Sequence, residues 1–151
     1  MPQSLANVLV HIIYSTKNRD PFLSDKGIRS EMHAYLGGTC NDCGCPVLTV
    51  GGVADHVHIL CSLSRTITIA DLLKELKTSS SKWVKTKGRI LEKFSWQNGY
   101  GAFSVGQTEV ERVLAYIRNQ EEHHRHKTFQ DEYRAFLKEY KIEFDERYVW
   151  D

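Results

Sequence analysis

Ala54-Asp55-His56-Val57-His58-Ile59-Leu60 is the stretch on which the reading of this chain turns. Aliphatic residues alternate with imidazoles along it, the period-2 pattern of a strand. Side chains two apart on a strand share a face, so His56 and His58 project together while Val57 and Ile59 enter a core. Two imidazoles held side by side on a rigid strand make half of a site for a divalent metal. A His-x-His pair alone also fits ordinary half-buried histidines, so its meaning depends on what surrounds it.

Working outward, this strand, His56 to Leu63, is the third of four. Val8 to Tyr14 alternates and is rich in β-branched residues, a first strand. Ser24 is placed to cap a helix carrying Ile28, Met32, Tyr35 and Leu36, stopped by Gly37-Gly38. Pro46 to Val50 reads as the second strand, and Gly51-Gly52 leads to the third. Thr68-Ile69-Ala70-Asp71 has the form of a capping box, with Asp in place of Glu. It opens a long helix with an apolar stripe at Ile69, Leu72, Leu73 and Leu76, running through Trp83 towards Lys87 and ending at Gly88. The segment from Phe94 to Tyr100 is less regular and leads into a fourth strand, Gly101 to Val105. Thr108-Glu109-Val110-Glu111 is a full capping box for a helix reaching about His124, and a last amphipathic helix is expected near Asp131 to Tyr140. The order strand-helix-strand-strand-helix-strand is the ferredoxin-like split βαβ arrangement, an α+β fold. It predicts a four-stranded antiparallel sheet with helices on one face, to which the Thr108 helix is an addition. That scaffold hosts many functions, so it assigns none.

The chain of 151 residues is most simply one domain, 1–151, and is long enough to build a core without staples. Hydrophobic residues make up 41% and charged residues 26%, which puts it among ordinary soluble globular proteins. No apolar run approaches the roughly 20 residues of a membrane span, and the start, Met1 to Leu5, lacks the features of a signal peptide. A cytoplasmic protein without membrane partners is expected. Cys40, Cys43, Cys45 and Cys61 lack the paired spacing of a structural zinc site and read as reduced, partly buried thiols. His123-His124-Arg125-His126 reads as a surface helix end rather than a metal cluster.

The net charge of +1 does not announce a nucleic-acid binder. Its distribution says more: Lys74, Lys77, Lys82, Lys85, Lys87, Arg89 and Lys93 crowd one stretch, while acidic residues gather near the C-terminus. Such a stripe could track a phosphate backbone or be a solvated helix face. Trp83, Trp96 and Tyr100 could stack on bases or sit in the core.

Within the Thr108 helix, Val110, Val113, Leu114 and Ile117 form the stripe that docks. Tyr116 and Gln120 fall on its flank, one above the other. Tyr116 there is either an amphipathic ring at the core edge or a nucleophile.

His56-Val57-His58 followed by Tyr116-x-x-x-Gln120 resembles the single-tyrosine HUH transposases of the smallest bacterial insertion sequences. The resemblance covers nearly the whole chain. It includes His11 to Lys17, Asp55 to Leu60, Trp96 to Val105 and Tyr116 to His124. Ile142 to Tyr148 resembles the branch that contains the repeat-associated tyrosine transposases. The resemblance implies His56, His58 and Gln120 as ligands of Mg²⁺ or Mn²⁺, Tyr116 as the nucleophile, and an obligate homodimer in which the tyrosine helix often serves the partner's histidines. It implies cleavage of single-stranded DNA at hairpin-bearing ends through a 5′-phosphotyrosine, with strand transfer by the reverse step. Lys74, Lys77, Lys82, Lys85 and Arg89 are then the candidate DNA contacts. The chemistry is coherent: only about one phenol in a thousand is ionised at neutral pH, and a nearby cation favours the phenolate.

Three other readings stand beside it. A histidine-triad nucleotide hydrolase wants a third histidine where this chain has Leu60. A domesticated repeat-associated protein that binds and processes palindromic host DNA would keep all the same residues. A metal-binding α+β dimer without nuclease action is the plainest alternative.

Overall fold

The computed structural model describes residues 2–151. Strands β1 (Leu9–Ser15), β2 (Val47–Gly52), β3 (His56–Ser62) and β4 (Gly101–Val105) alternate with helices α1 (Lys26–Asp42) and α2 (Ile69–Val84). After β4 come α3 (Val110–Arg118), the short α4 (Gln120–His123) and α5 (Phe129–Glu139). The strands form one antiparallel sheet in the order β2-β3-β1-β4, the ferredoxin-like topology expected from the element order. No helix among the described residues is long and apolar enough to cross a membrane.

The pleat sorts the two central strands onto two cores. Val10, Ile12 and Tyr14 of β1 and Val57, Ile59 and Cys61 of β3 face α1 and α2, where Met32, Leu36, Leu72 and Leu76 are fully buried. Each such aliphatic side chain contributes about 1.5–3 kcal/mol by leaving water. The opposite face presents His11, His56 and His58 between two apolar clusters. Leu9 and Leu60 meet Val110, Val113 and Ile117 of α3. Ile13 and Phe103 meet Phe129, Tyr133 and Leu137 of α5. Both faces are therefore covered. The tyrosine-bearing helix is joined on the second face by α5, so the histidines lie inside the molecule and not on an open sheet.

Several local expectations are corrected. Helix α1 does not stop at Gly37-Gly38 but continues to Asp42, and its cap is Asp25, whose Oδ1 accepts from Ile28 N at 3.0 Å. Glycine lowers helix propensity by about 1 kcal/mol without ending a helix by itself. The stop comes at Gly44, where φ is +73° and Cys45 N donates to Cys40 O at 2.9 Å while Gly44 N donates to Asn41 O at 3.0 Å. These paired bonds are a Schellman ending.

Gly51 and Gly52 lie inside β2, not beyond it. A Cβ on Gly51 would fall 2.5 Å from Ile117 O, so the bare backbone there lets α3 press against the sheet edge.

The capping box at Thr108 does not form. Gln107–Glu109 is a 3-10 turn, and α3 begins at Val110 without a side-chain cap. The expected single helix also breaks at Asn119 (φ −101°, ψ 24°), which separates α3 from α4.

Candidate active site

Strand β3 carries His56 and His58 on one face, as the alternation requires, and both side chains are 0% exposed. A buried imidazole needs partners for both nitrogens. His56 Nδ1–H donates to Asp55 Oδ1 at 2.7 Å. His58 Nδ1 lies 2.8 Å from Nε2 of His11, which is diagonal to it on β1. The remaining nitrogens, both Nε2, point the same way.

They point at Glu132. Thr128 caps α5 by accepting from Asp131 N at 3.2 Å, which sets Glu132 in the first turn on the helix face turned to the sheet. Glu132 Oε1 lies 2.9 Å from His58 Nε2 and 3.4 Å from His56 Nε2. Its Oε2 lies 3.2 Å from Nε2 of His124, at the end of α4. His124 Nδ1–H donates to Lys127 O at 2.6 Å.

Tyr116 and Gln120 approach from α3 and α4. The Tyr116 hydroxyl donates to Glu132 Oε2 and lies 3.3 Å from His123 Nε2. Its ring centre is 5.8 Å from that of His58. Gln120 Oε1 lies 3.1 Å from His56 Nε2, and its amide nitrogen donates to Tyr116 O at 3.4 Å, keeping the two residues stacked despite the helix break.

The electrostatics follow from this packing. Burial works against a charge on His56, but the Asp55 and Glu132 carboxylates outweigh it and hold its pKa up at about 9. Burial lowers His58 to about 4, and burial followed by the neighbouring His58 lowers His11 to about 3. Burial would also raise Glu132, but hydrogen bonds from His124, His56 and His58 hold it far below the usual carboxylate range. Tyr116 is pushed well above the ordinary phenol value by burial and by the Glu132 charge.

His56, His58, His124 and Glu132 each offer one ligand atom, and these atoms lie within 4.8 Å of one another. The donor set fits a divalent cation: the outer nitrogen of each imidazole is held by Asp55, by His11 or by the Lys127 carbonyl. Metal-binding histidines are fixed in just this way.

The structure thus brings together His56, His58, Tyr116 and Gln120. The expected basic contacts lie elsewhere, because α2 packs on the other face of the sheet. Lys74, Lys82, Lys85 and Arg89 are exposed. Lys77 is turned inward, and its Nζ donates to the carbonyls of Gln97 at 2.9 Å, Asn98 at 3.0 Å and Gly99 at 2.6 Å. Burial lowers its pKa to about 8. Trp96 is a core residue, donating from Nε1 to Ser80 Oγ at 2.9 Å, and Trp83 stacks on Tyr35. Tyr100 stays exposed. All four cysteines are free thiols, as expected.

The reading of residues 123–126 as a bare surface helix end is overturned for His124, whose side chain is 9% exposed and turned into the cluster. Glu132 was not foreseen either. Its signal was available: a lone carboxylate within the apolar stripe Phe129, Tyr133, Leu137 of an amphipathic helix. Beside the cluster, a cavity of about 450 Å³ has Asp55 and His124 in its wall and is flanked by Lys26, Arg29, Arg125 and Lys127.

The chain matches the family model described as "Transposase IS200 like" over residues 4–120. That segment contains His56, His58, Tyr116 and Gln120 and ends before His124 and Glu132. The fold is similar to the crystal structure of a protein from Deinococcus radiodurans R1 ascribed to the transposases, with a TM-score of 0.62 and 22% identity over 80% of this chain and 95% of that one. It is also similar to a REP-associated tyrosine transposase bound to a REP hairpin, with a TM-score of 0.57 and 12% identity over 79% of this chain and 69% of that one. No curated protein gives a significant match.

Proposed function

The chain belongs to the IS200-like transposase family, and on that premise we propose that it breaks and rejoins single-stranded DNA through Tyr116. The observation that carries the proposal is that Tyr116 and the His56–His58 pair meet on one buried carboxylate, Glu132, within a single chain. A phenol at an ordinary core edge has no reason to face a metal-binding donor set.

In this reading His56, His58 and Gln120 hold Mg²⁺ or Mn²⁺. When bound, the ion would polarise the scissile phosphate and offset the charge that builds in the transition state. Asp55 and His11 keep the two imidazoles oriented. The Tyr116 oxygen attacks phosphorus, the bond to the 3′-oxygen breaks, and the proton given up by the phenol is balanced by the proton gained by the 3′-hydroxyl. The product is a 5′-phosphotyrosine. Its ester bond replaces the one that was broken, so a 3′-hydroxyl on the same or another strand reverses the step without ATP.

His56, His58, Gln120 and Glu132 are all buried, so a phosphate reaches them only when Glu132 gives way. The cavity bordered by Lys26, Arg29, Arg125 and Lys127 supplies the approach. Glu121, also in its wall, pairs with Lys26 at 3.8 Å and Arg29 at 3.0 Å, and a phosphate backbone would exchange with it for those cations. The exposed Lys74, Lys82, Lys85 and Arg89 on the far face are proposed to grip a hairpin stem, and the working unit is proposed to be a homodimer.

The test is direct. Purified protein, Mn²⁺ or Mg²⁺ and a single-stranded hairpin oligonucleotide drawn from DNA beside the gene should give a covalent adduct that survives denaturation. No adduct with any flanking hairpin would count against the proposal. A second reading, a domesticated protein acting on palindromic host repeats, is favoured by the Ile142–Tyr148 segment. Scattered repeats, in place of terminal palindromes around the gene, would select it.

A further inference from the structure

Two of the four donors in the cluster lie outside the family-matched residues: His124 and Glu132. We propose that these two residues are ligands of the same ion as His56 and His58, so that the resting chain holds a closed centre of three imidazoles and one carboxylate suited to a zinc-class cation. The inference rests on the reading of the histidine pair as a metal site and deepens it.

His124 makes the case. A histidine at a helix end is ordinarily solvated, yet this one has Nδ1–H tied to Lys127 O at 2.6 Å and its Nε2 aimed at Glu132 at 3.2 Å. Fixing the outer nitrogen leaves the inner lone pair as the free donor, as Asp55 does for His56. His58 completes the pattern through His11. His123 Nε2 also lies 3.2 Å from Glu132 Oε2, but it is shared with the Tyr116 hydroxyl at 3.3 Å, its side chain is 29% exposed, and it is not among the four donors that lie within 4.8 Å of one another.

Donor chemistry then selects the ion. Imidazole nitrogen suits zinc, cobalt, iron and nickel, whereas Mg²⁺ prefers oxygen ligands and retains water. Four protein donors with no exposed position are the mark of a closed zinc site. A nucleic-acid phosphate would have to take the place of Glu132, and Gln120 that of His124, so the resting centre and the cleaving centre share the His56–His58 pair alone.

The experiment uses the full chain without DNA. Chelator-stripped protein is titrated with Zn²⁺, Co²⁺ and Mg²⁺ by calorimetry, and the cobalt form is followed by visible absorption. One ion per chain is expected, with Zn²⁺ bound at least about 100-fold more tightly than Mg²⁺. Glu132→Gln and His124→Asn should each weaken Zn²⁺ at least about 10-fold and reduce the intense bands of four-coordinate Co²⁺. His126→Asn should leave both readouts unchanged. X-ray absorption of zinc-loaded wild-type protein should count three imidazoles and one oxygen, a measurement independent of whether a variant folds. Two imidazoles in that count, or unaltered Zn²⁺ affinity in both variants, would overturn the assignment. Loss of DNA cleavage bears only on the transposase reading, since no step here requires DNA.

Discussion

Tyr116 donates its hydroxyl hydrogen bond to Glu132, the carboxylate on which Nε2 of His56, His58 and His124 converge. One buried anion therefore ties the proposed nucleophile to the proposed metal ligands and holds three separate elements, β3, α3 and α5, in one geometry. Burial first, and then this negative charge beside it, oppose ionisation of the phenol and keep it protonated. On the proposed function, the resting chain stays unreactive until that carboxylate is engaged elsewhere.

Replacing Tyr116 by Phe should remove the covalent adduct altogether while leaving hairpin binding intact. The ring stays in place against His11, His58 and Phe136, and only a hydrogen bond to a charged group is lost. The expected stability cost is about 1.5–3 kcal/mol. Gel analysis of adducts, paired with thermal unfolding, separates the two effects. An adduct persisting in the Phe variant would falsify the nucleophile assignment.

The ion-free protein should be most stable near pH 6.5. His58 and His11 titrate near 4 and 3 in the folded chain and at 6.5 in the unfolded one, so the unfolded state binds more protons below 6.5 and stability rises with pH up to that point. His56 runs the other way. Its folded pKa of about 9 exceeds 6.5, so its contribution is complete below 6.5 and is lost as pH rises towards 9. Denaturant unfolding in chelator from pH 4 to pH 9 reads both limbs. His56→Asn should flatten the alkaline limb alone; an unchanged alkaline limb in that variant would assign it to another group.

Much of this was legible in the sequence, and the misses share a cause. Strand alternation placed His56 and His58 correctly because a period of 2 is decided by each strand alone. Thr68 was legible as a cap because its partner, Asp71 N, is three residues away. Gly37-Gly38 misled because helix continuation there depends on the α1 packing and on the later Gly44. His124 and Glu132 were missed because their meaning is set by residues more than sixty positions earlier. A lone carboxylate in an apolar stripe signals a buried partner without saying which one. The basic stripe on α2 was seen as a stripe, but which face of the sheet it would occupy depends on how the helix packs.

Gly51→Ala should damage the site from a distance. An added Cβ would meet Ile117 O at 2.5 Å and Ile117 Cγ2 at 2.7 Å, and backbone cannot yield as a flexible side chain does. Helix α3 must shift outward, carrying Tyr116 from Glu132. Overpacking of this kind costs about 1–3 kcal/mol, and adduct formation should fall more than hairpin binding. Equal losses in both would mean that the fold, rather than the placement of Tyr116, had been damaged.

Mixing two inactive variants tests where each tyrosine works. The family resemblance implies a tyrosine helix that often serves the partner's histidines, yet here Tyr116 reaches the cluster of its own chain, with His123, Gln120 and Glu132 as its neighbours in the same segment. If that arrangement is the cleaving one, Tyr116→Phe mixed with His56→Ala leaves every site lacking either a nucleophile or a ligand. Adduct should then be absent at every ratio, whether or not the chains pair. If the helices exchange, a mixed dimer assembles one intact site from the Tyr116 of one chain and the His56 of the other, and about a quarter of the wild-type sites return at equal mixing, on the interface symmetry of a two-fold dimer. Recovery of adduct at that level would show that α3 leaves its own chain's Glu132 when DNA is cut. No recovery would fix the site as one built from a single chain.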